Sequence, residues 1–170
     1  MDNETDGIIR KAGEAFEIVF ARRLNKPIDK VWAALTVPER IADWFTEMRF
    51  VPGARLGADV ELIFDDPPYR APKGKVVAFD PPRLFAWTWP DKDHPDSIVR
   101  CELEPDGEGC VLTFSQSDLG TKWLTEVAAG WHNFLEGLAG AADGIRTVAS
   151  LEREKTRRPA YEARLKALNL

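Results

Sequence analysis

Thr121 to Gly144 reads TKWLTEVAAGWHNFLEGLAGAADG, the long stretch of the chain with helical periodicity. Trp123, Val127, Trp131, Phe134 and Leu138 recur at three- and four-residue steps, which aligns them along one side of a helix of about six turns. Gly130, Gly137 and Gly140 would each cost an exposed helix roughly 1 kcal/mol against Ala, so their presence points to close packing or to a need for space. A lone helix cannot bury two Trp and a Phe. The stretch therefore predicts a curved antiparallel sheet wrapped around this helix, with the gap between them as the functional site.

Strand-like segments all precede the helix. Cys110 to Ser117 and Ser97 to Glu104 form a hairpin across Pro105-Asp106-Gly107-Glu108-Gly109. Pairing Leu103 with Cys110 there places Val99, Cys101, Leu103, Cys110, Leu112 and Phe114 on one face, so both thiols read as reduced core residues. Leu84 to Trp89 puts Phe85, Trp87 and Trp89 on one face, and burying those rings would contribute on the order of 6 kcal/mol. Before it, Asp80-Pro81-Pro82-Arg83 is a tight connection from a strand at Lys75 to Phe79. Val60, Leu62 and Phe64 alternate with Glu61 and Ile63 in another strand, ended by Asp65-Asp66-Pro67-Pro68. Pro27 fits the first turn of a short helix carrying Val31, Trp32 and Leu35, and Thr36 with Glu39 matches a capping box for a second, running through Trp44 and Phe45. Ala15 to Leu24 is the first strand, with Phe16, Ile18 and Phe20 inward. The expectation is an α+β domain over residues 14–149 with six antiparallel strands, two short helices between strands one and two, and a long C-terminal helix. Residues 1–13 read as a flexible arm, and residues 150–170 as a basic helical tail that Pro159 should break in two.

Composition narrows the function. The 170 residues are 44% hydrophobic and 30% charged, with six Trp; such an aromatic excess fits either a bulky core or a ring-lined pocket. A net charge of -5 and a pI near 5.2 argue against a nucleic-acid surface. No apolar run approaches the roughly 18 residues of a membrane span, and MDNETDGIIRK lacks the pattern of a signal peptide, so the expected location is cytoplasmic. With two Cys and two His, neither a disulfide framework nor a metal site is expected, and no cofactor is implied. The order Asp91-Lys92-Asp93-His94-Pro95-Asp96 has the spacing of a calcium loop but lacks its central Gly and distal Glu, and reads as a solvated turn.

Three motifs occur in order: Pro27-x3-Val31-Trp32-x2-Leu35-Thr36-x-Pro38-Glu39-x4-Trp44, then Gly74-x-Val76 leading to Asp80-Pro81-Pro82 and Thr88-Trp89, then Gly130-Trp131-x3-Leu135-x2-Leu138. Over about residues 14 to 144 they resemble the START and Bet v 1-like (SRPBCC) superfamily, and within it the branch related to the activator of heat-shock-protein-90 ATPase. The resemblance implies a helix-grip fold and an apolar cavity between sheet and C-terminal helix that holds small hydrophobic molecules. Members often carry a Thr-His pair at the end of strand six, where this chain has Ser115-Gln116.

The candidate cavity residues are then Trp44, Leu62, Phe64, Phe85, Trp87, Trp89, Leu112, Phe114, Gln116, Val127, Trp131 and Phe134. Arg22 and Gln116 follow inward-facing residues in phase, and each is a candidate to bond a ligand carbonyl or carboxylate; His132, one step off the helix stripe, is a candidate base or hydrogen-bond donor. Tyr69 and Arg70 are candidates for the cavity mouth. No G-x-S-x-G or other catalytic motif appears, so no catalytic residue is assigned. The favoured function is binding of a small hydrophobic or aromatic ligand. The alternatives are an enzyme of cyclase, dehydratase or hydrolase type in the same cavity, and a chaperone-related interaction module. A homodimer is a candidate assembly, for which an exposed Trp32 or Trp123 would be the sign.

Overall fold

The computed structural model describes residues 6–65, 68–90, 95–147 and 149–170. Asp66 and Pro67 of the expected turn, and Asp91 to His94 of the calcium-like stretch, lie outside the described residues. The chain runs β1 (Ile8–Ala12), β2 (Ala15–Leu24), α1 (Ile28–Thr36), α2 (Pro38–Ile41), β3 (Glu47–Val51), β4 (Asp59–Asp65), β5 (Pro68–Arg70), β6 (Gly74–Asp80), β7 (Leu84–Trp89), β8 (Ser97–Asp106) and β9 (Gly109–Leu119). A single 3-10 turn at Thr121–Trp123 then leads into α3 (Leu124–Leu135), α4 (Leu138–Ala142) and α5 (Leu151–Ala167). All pairings are antiparallel, in the order β1-β2-β9-β8-β7-β6-β4-β3, with β5 beside β4. The core lies between this sheet and α3, where Ile18, Phe20, Val99, Phe114, Leu112 and Leu135 are buried.

The sheet has nine strands where the sequence predicts six. The arm expected at 1–13 is an edge strand from Ile8 to Ala12, turned onto β2 at Gly13, whose φ of +65° suits glycine. β3 and β5 also escape the alternation rule, because β3 buries Met48 alone and β5 is exposed throughout. The β8–β9 hairpin closes on Asp106 and Gly109, so Leu103 faces Leu112 rather than Cys110. Gly107, at φ +60°, makes that short turn. A slip of two residues keeps side-chain parity, which is why the expected inward set is buried despite the wrong partner. Cys101 lies opposite Phe114, and both thiols are free and pushed up by burial.

Three further expectations change. Thr36 ends α1 and donates its hydroxyl to the Trp32 carbonyl at 2.8 Å, while Val37 stands at the head of α2 with no side-chain cap, so the capping box does not form. The long helix is interrupted at Glu136-Gly137, where Gly137 N–H bonds Phe134 O at 3.0 Å, three residues back. Pro159 sits inside an unbroken α5. Its helix penalty, about 3 kcal/mol in an isolated helix, is opposed by contacts that pin α5 to the rest of the fold on both sides of the proline: Arg157 to Glu136, and Tyr161 to His132 and Gly7.

Candidate functional site

A cavity of about 940 Å³ opens between the sheet and α3. Its inner wall is aromatic. Phe45 packs on Trp131 and Phe134 with ring centroids 4.8 and 5.0 Å away, Trp89 meets Trp131 edge-on at 6.0 Å, and Phe64 stacks on Trp89 at 6.2 Å. Gly130, on the same helix face, lines the space, and a Cβ built there meets nothing within 4 Å. Gly137 has the opposite reason for its size: a Cβ there would sit 3.2 Å from the Trp44 Cβ and 3.1 Å from the Thr147 Cβ. One glycine keeps the cavity clear; the other lets the helix approach its neighbours.

Gln116 reaches the cavity from the middle of β9, between Ile18 of β2 and Val99 of β8. It is 4% exposed, accepts a hydrogen bond from Trp131 Nε1 at 2.6 Å and donates one to Ser97 Oγ at 2.8 Å. The charged residues among the described lining are Arg70, Asp118, Lys122, Glu126 and Glu154. Trp123 is 49% exposed there, with the Lys122 ammonium 5.0 Å from its ring centre.

Of the expected cavity residues, Phe64, Trp89, Gln116, Val127, Trp131 and Phe134 line this space. Trp44, Leu62, Phe85, Trp87, Leu112 and Phe114 are instead locked in the packed core, with Phe85 stacked on Trp87 at 4.9 Å. Tyr69 and Arg70 do stand at the mouth. Phe45, Ser97, Lys122 and Glu154 join the lining without having been singled out. Ser97 was findable, because it shares the inward phase of Val99 and Cys101; Glu154 had no local signal, since it arrives on α5.

His132 and Arg22 turn away from the cavity toward α5. His132 is 2% exposed, its Nδ1 lies 2.8 Å from the Tyr161 hydroxyl and its Nε2 2.9 Å from Arg157 Nη1. A guanidinium only donates, so Nε2 is the acceptor and Nδ1 carries the proton toward Tyr161, whose hydroxyl also accepts from Gly7 N–H at 2.9 Å. Burial, with the nearby Arg157 and Arg22 charges, holds the imidazole down to about 4 against the opposing pull of Asp6 and Glu136. Arg22 lies over the Phe20 ring and donates to the Ala21 carbonyl at 2.9 Å, its own pKa lowered by burial. Neither expected polar contact touches the cavity.

The family model for activator of Hsp90 ATPase homolog 1-like proteins matches residues 25–143. The chain belongs to that family. Its fold is the helix grip of the START and Bet v 1-like superfamily. A crystal structure of CalU16 from Micromonospora echinospora is 27% identical over 95% of each chain, with a TM-score of 0.73. EF2215 from Enterococcus faecalis, described as a conserved protein of unknown function, is 18% identical over 98% of this chain and 94% of its own, with a TM-score of 0.77. DynU16, a protein of the dynemicin biosynthetic locus, is 23% identical with a TM-score of 0.63; this chain aligns over 75% of its length and 47% of that of DynU16. The last two likenesses speak for the fold alone. No curated protein matches. The Hsp90-activator match ends at 143, so α5 lies beyond it. No helix among the described residues is long and apolar enough to cross a membrane.

Proposed function

We propose that this protein binds a small hydrophobic or aromatic ligand in the cavity between β4, β7, β9 and α3. The observation that carries the reading is the pairing of an aromatic wall with Gly130: the rings of Phe45, Trp89, Trp131 and Phe134 surround space that a side chain at 130 would occupy. A cavity of about 940 Å³ matches the size of drug-like guests, and its few convergent polar groups match the way such sites orient them. Against the enzymatic alternative stands the engagement of His132, the candidate base, and of Arg22, a candidate ligand contact, with α5 and Phe20. Membership in a family named for an Hsp90 activator does not carry chaperone activation to this chain, since fold and function separate readily.

Native mass spectrometry of freshly purified protein tests the reading directly: a co-purifying small molecule is expected. A fluorescent hydrophobic probe should bind the emptied protein and quench its Trp emission. If no molecule co-purifies and the probe does not bind, ligand binding is lost and an interaction role takes its place.

A further inference from the structure

The cavity floor carries a hydrogen-bond chain whose direction follows from chemistry. Trp131 Nε1–H can only donate, and it meets Gln116 2.6 Å away, so the amide oxygen must face the helix. The amide nitrogen therefore faces Ser97, whose Oγ accepts at 2.8 Å and passes its own proton to the Trp89 carbonyl at 3.1 Å. An amide nitrogen has two N–H groups. Ser97 takes one, and the second has no protein partner among the described residues, although Gln116 is 96% shielded and lines the cavity.

The remaining capacity of this floor is uneven. The amide oxygen and Ser97 Oγ each already accept one bond, and an under-used acceptor is tolerated; an orphaned buried N–H is rarer and costlier. The floor residues Gln116, Ser97 and Trp131 are uncharged, and among the described residues the cations lining the cavity, Arg70 and Lys122, belong to exposed positions. A carboxylate driven to the floor would be desolvated without a counter-charge.

We infer that the buried end of the ligand carries a neutral hydrogen-bond acceptor, a ketone, aldehyde or similar carbonyl oxygen, that takes the second N–H of Gln116. This rests on the ligand-binding reading and sharpens it to a chemical class: an apolar ring system with a carbonyl at its inner end and any ionised group at its outer one. Gln116 is then the residue that sets orientation, and Trp131 and Ser97 hold its amide in place.

Three rigid probes of one shape test it by titration of Trp fluorescence: fluorene, 9-fluorenone and fluorene-9-carboxylate. The ketone should bind at least fivefold tighter than the hydrocarbon, and the carboxylate weakest. In Gln116→Met the ratio of ketone to hydrocarbon affinity should fall to about one. Tyr161→Phe, which alters the contact of α5 with His132 and leaves the cavity lining intact, should retain the preference. The carbonyl stretch of bound fluorenone should move to lower frequency in the native protein, a reading that stands even if Gln116→Met does not fold. Equal affinity for ketone and hydrocarbon, tightest binding of the carboxylate, or an unshifted carbonyl stretch would overturn the acceptor and leave ligand binding standing. Failure of all three probes to bind, with no molecule co-purifying in native mass spectrometry, would remove both.

Discussion

Gly130 and Gly137 lie seven residues apart and invite the same substitution with opposite results. A methyl group at 130 enters open space within α3, so Gly130→Ala should gain about 1 kcal/mol of helix propensity and raise the melting temperature by about 2 to 4 °C. At 137 the methyl would press on the Cβ atoms of Trp44 and Thr147, and Gly137→Ala should cost about 1 kcal/mol or more, read as a lowered midpoint in the same thermal scan. A larger residue separates stability from function: Gly130→Leu should fold, yet lose probe affinity at least tenfold. Retained affinity in that variant would place the guest elsewhere. At this scale the sequence was half legible. That Gly130 served space or packing was readable; which of the two required knowing that a Cβ there meets nothing within 4 Å. The same blindness put Trp87 and Trp89 on one face, where depth along the strand separates core from cavity wall.

α5 is fastened largely by polar contacts. Tyr161 alone is buried on it, while Arg157, Arg158 and Arg164 pair with Glu136, Glu126 and Asp6 and the Arg164 guanidinium also donates to the Gly7 carbonyl at 2.8 Å. Exposed pairs of this kind hold weakly, so the buried His132–Tyr161–Gly7 arrangement should dominate. Tyr161→Phe removes the hydroxyl that accepts from Gly7 and His132 and should cost about 1 to 3 kcal/mol in urea unfolding. Acid should act at the same place. The folded imidazole titrates at about 4 while the unfolded one keeps its ordinary value near 6.5, so the unfolded chain binds the extra proton between those limits. Stability from this group is complete above about pH 6.5 and declines as the pH falls toward 4. The groups around it pull both ways, Arg157 and Arg22 against the proton and Asp6 and Glu136 for it. From pH 7.5 to 5 the loss should be about 2 kcal/mol, and His132→Gln should remove that share of the pH dependence. Identical pH profiles for the two proteins would show that the imidazole is not held neutral. Pro159 was expected to end a helix, a rule of local geometry; long-range pairs to α3 and to Asp6 and Gly7 override it.

Across the whole molecule, α3 divides two jobs between adjacent residues: Trp131 faces the cavity and His132 faces α5. Tyr161→Phe should therefore lower stability while leaving probe affinity within about twofold, and Gly130→Leu should do the reverse. Coupled losses in both variants, read by thermal melting and probe titration, would mean that α5 shapes the cavity as well as covering the helix. The sequence by itself determined the strands with a buried face, the parity of the β8–β9 hairpin, the helix that fills the sheet and the family motifs, because each is written in residues a few positions apart. Tertiary structure alone decided which inward residues pack and which stand beside open space, where His132 and Arg22 turn, and that the basic tail docks through Tyr161. Periodicity assigns a side chain to a face, but depth and partner depend on segments brought together from more than a hundred residues apart, as Gly7 and Tyr161 are.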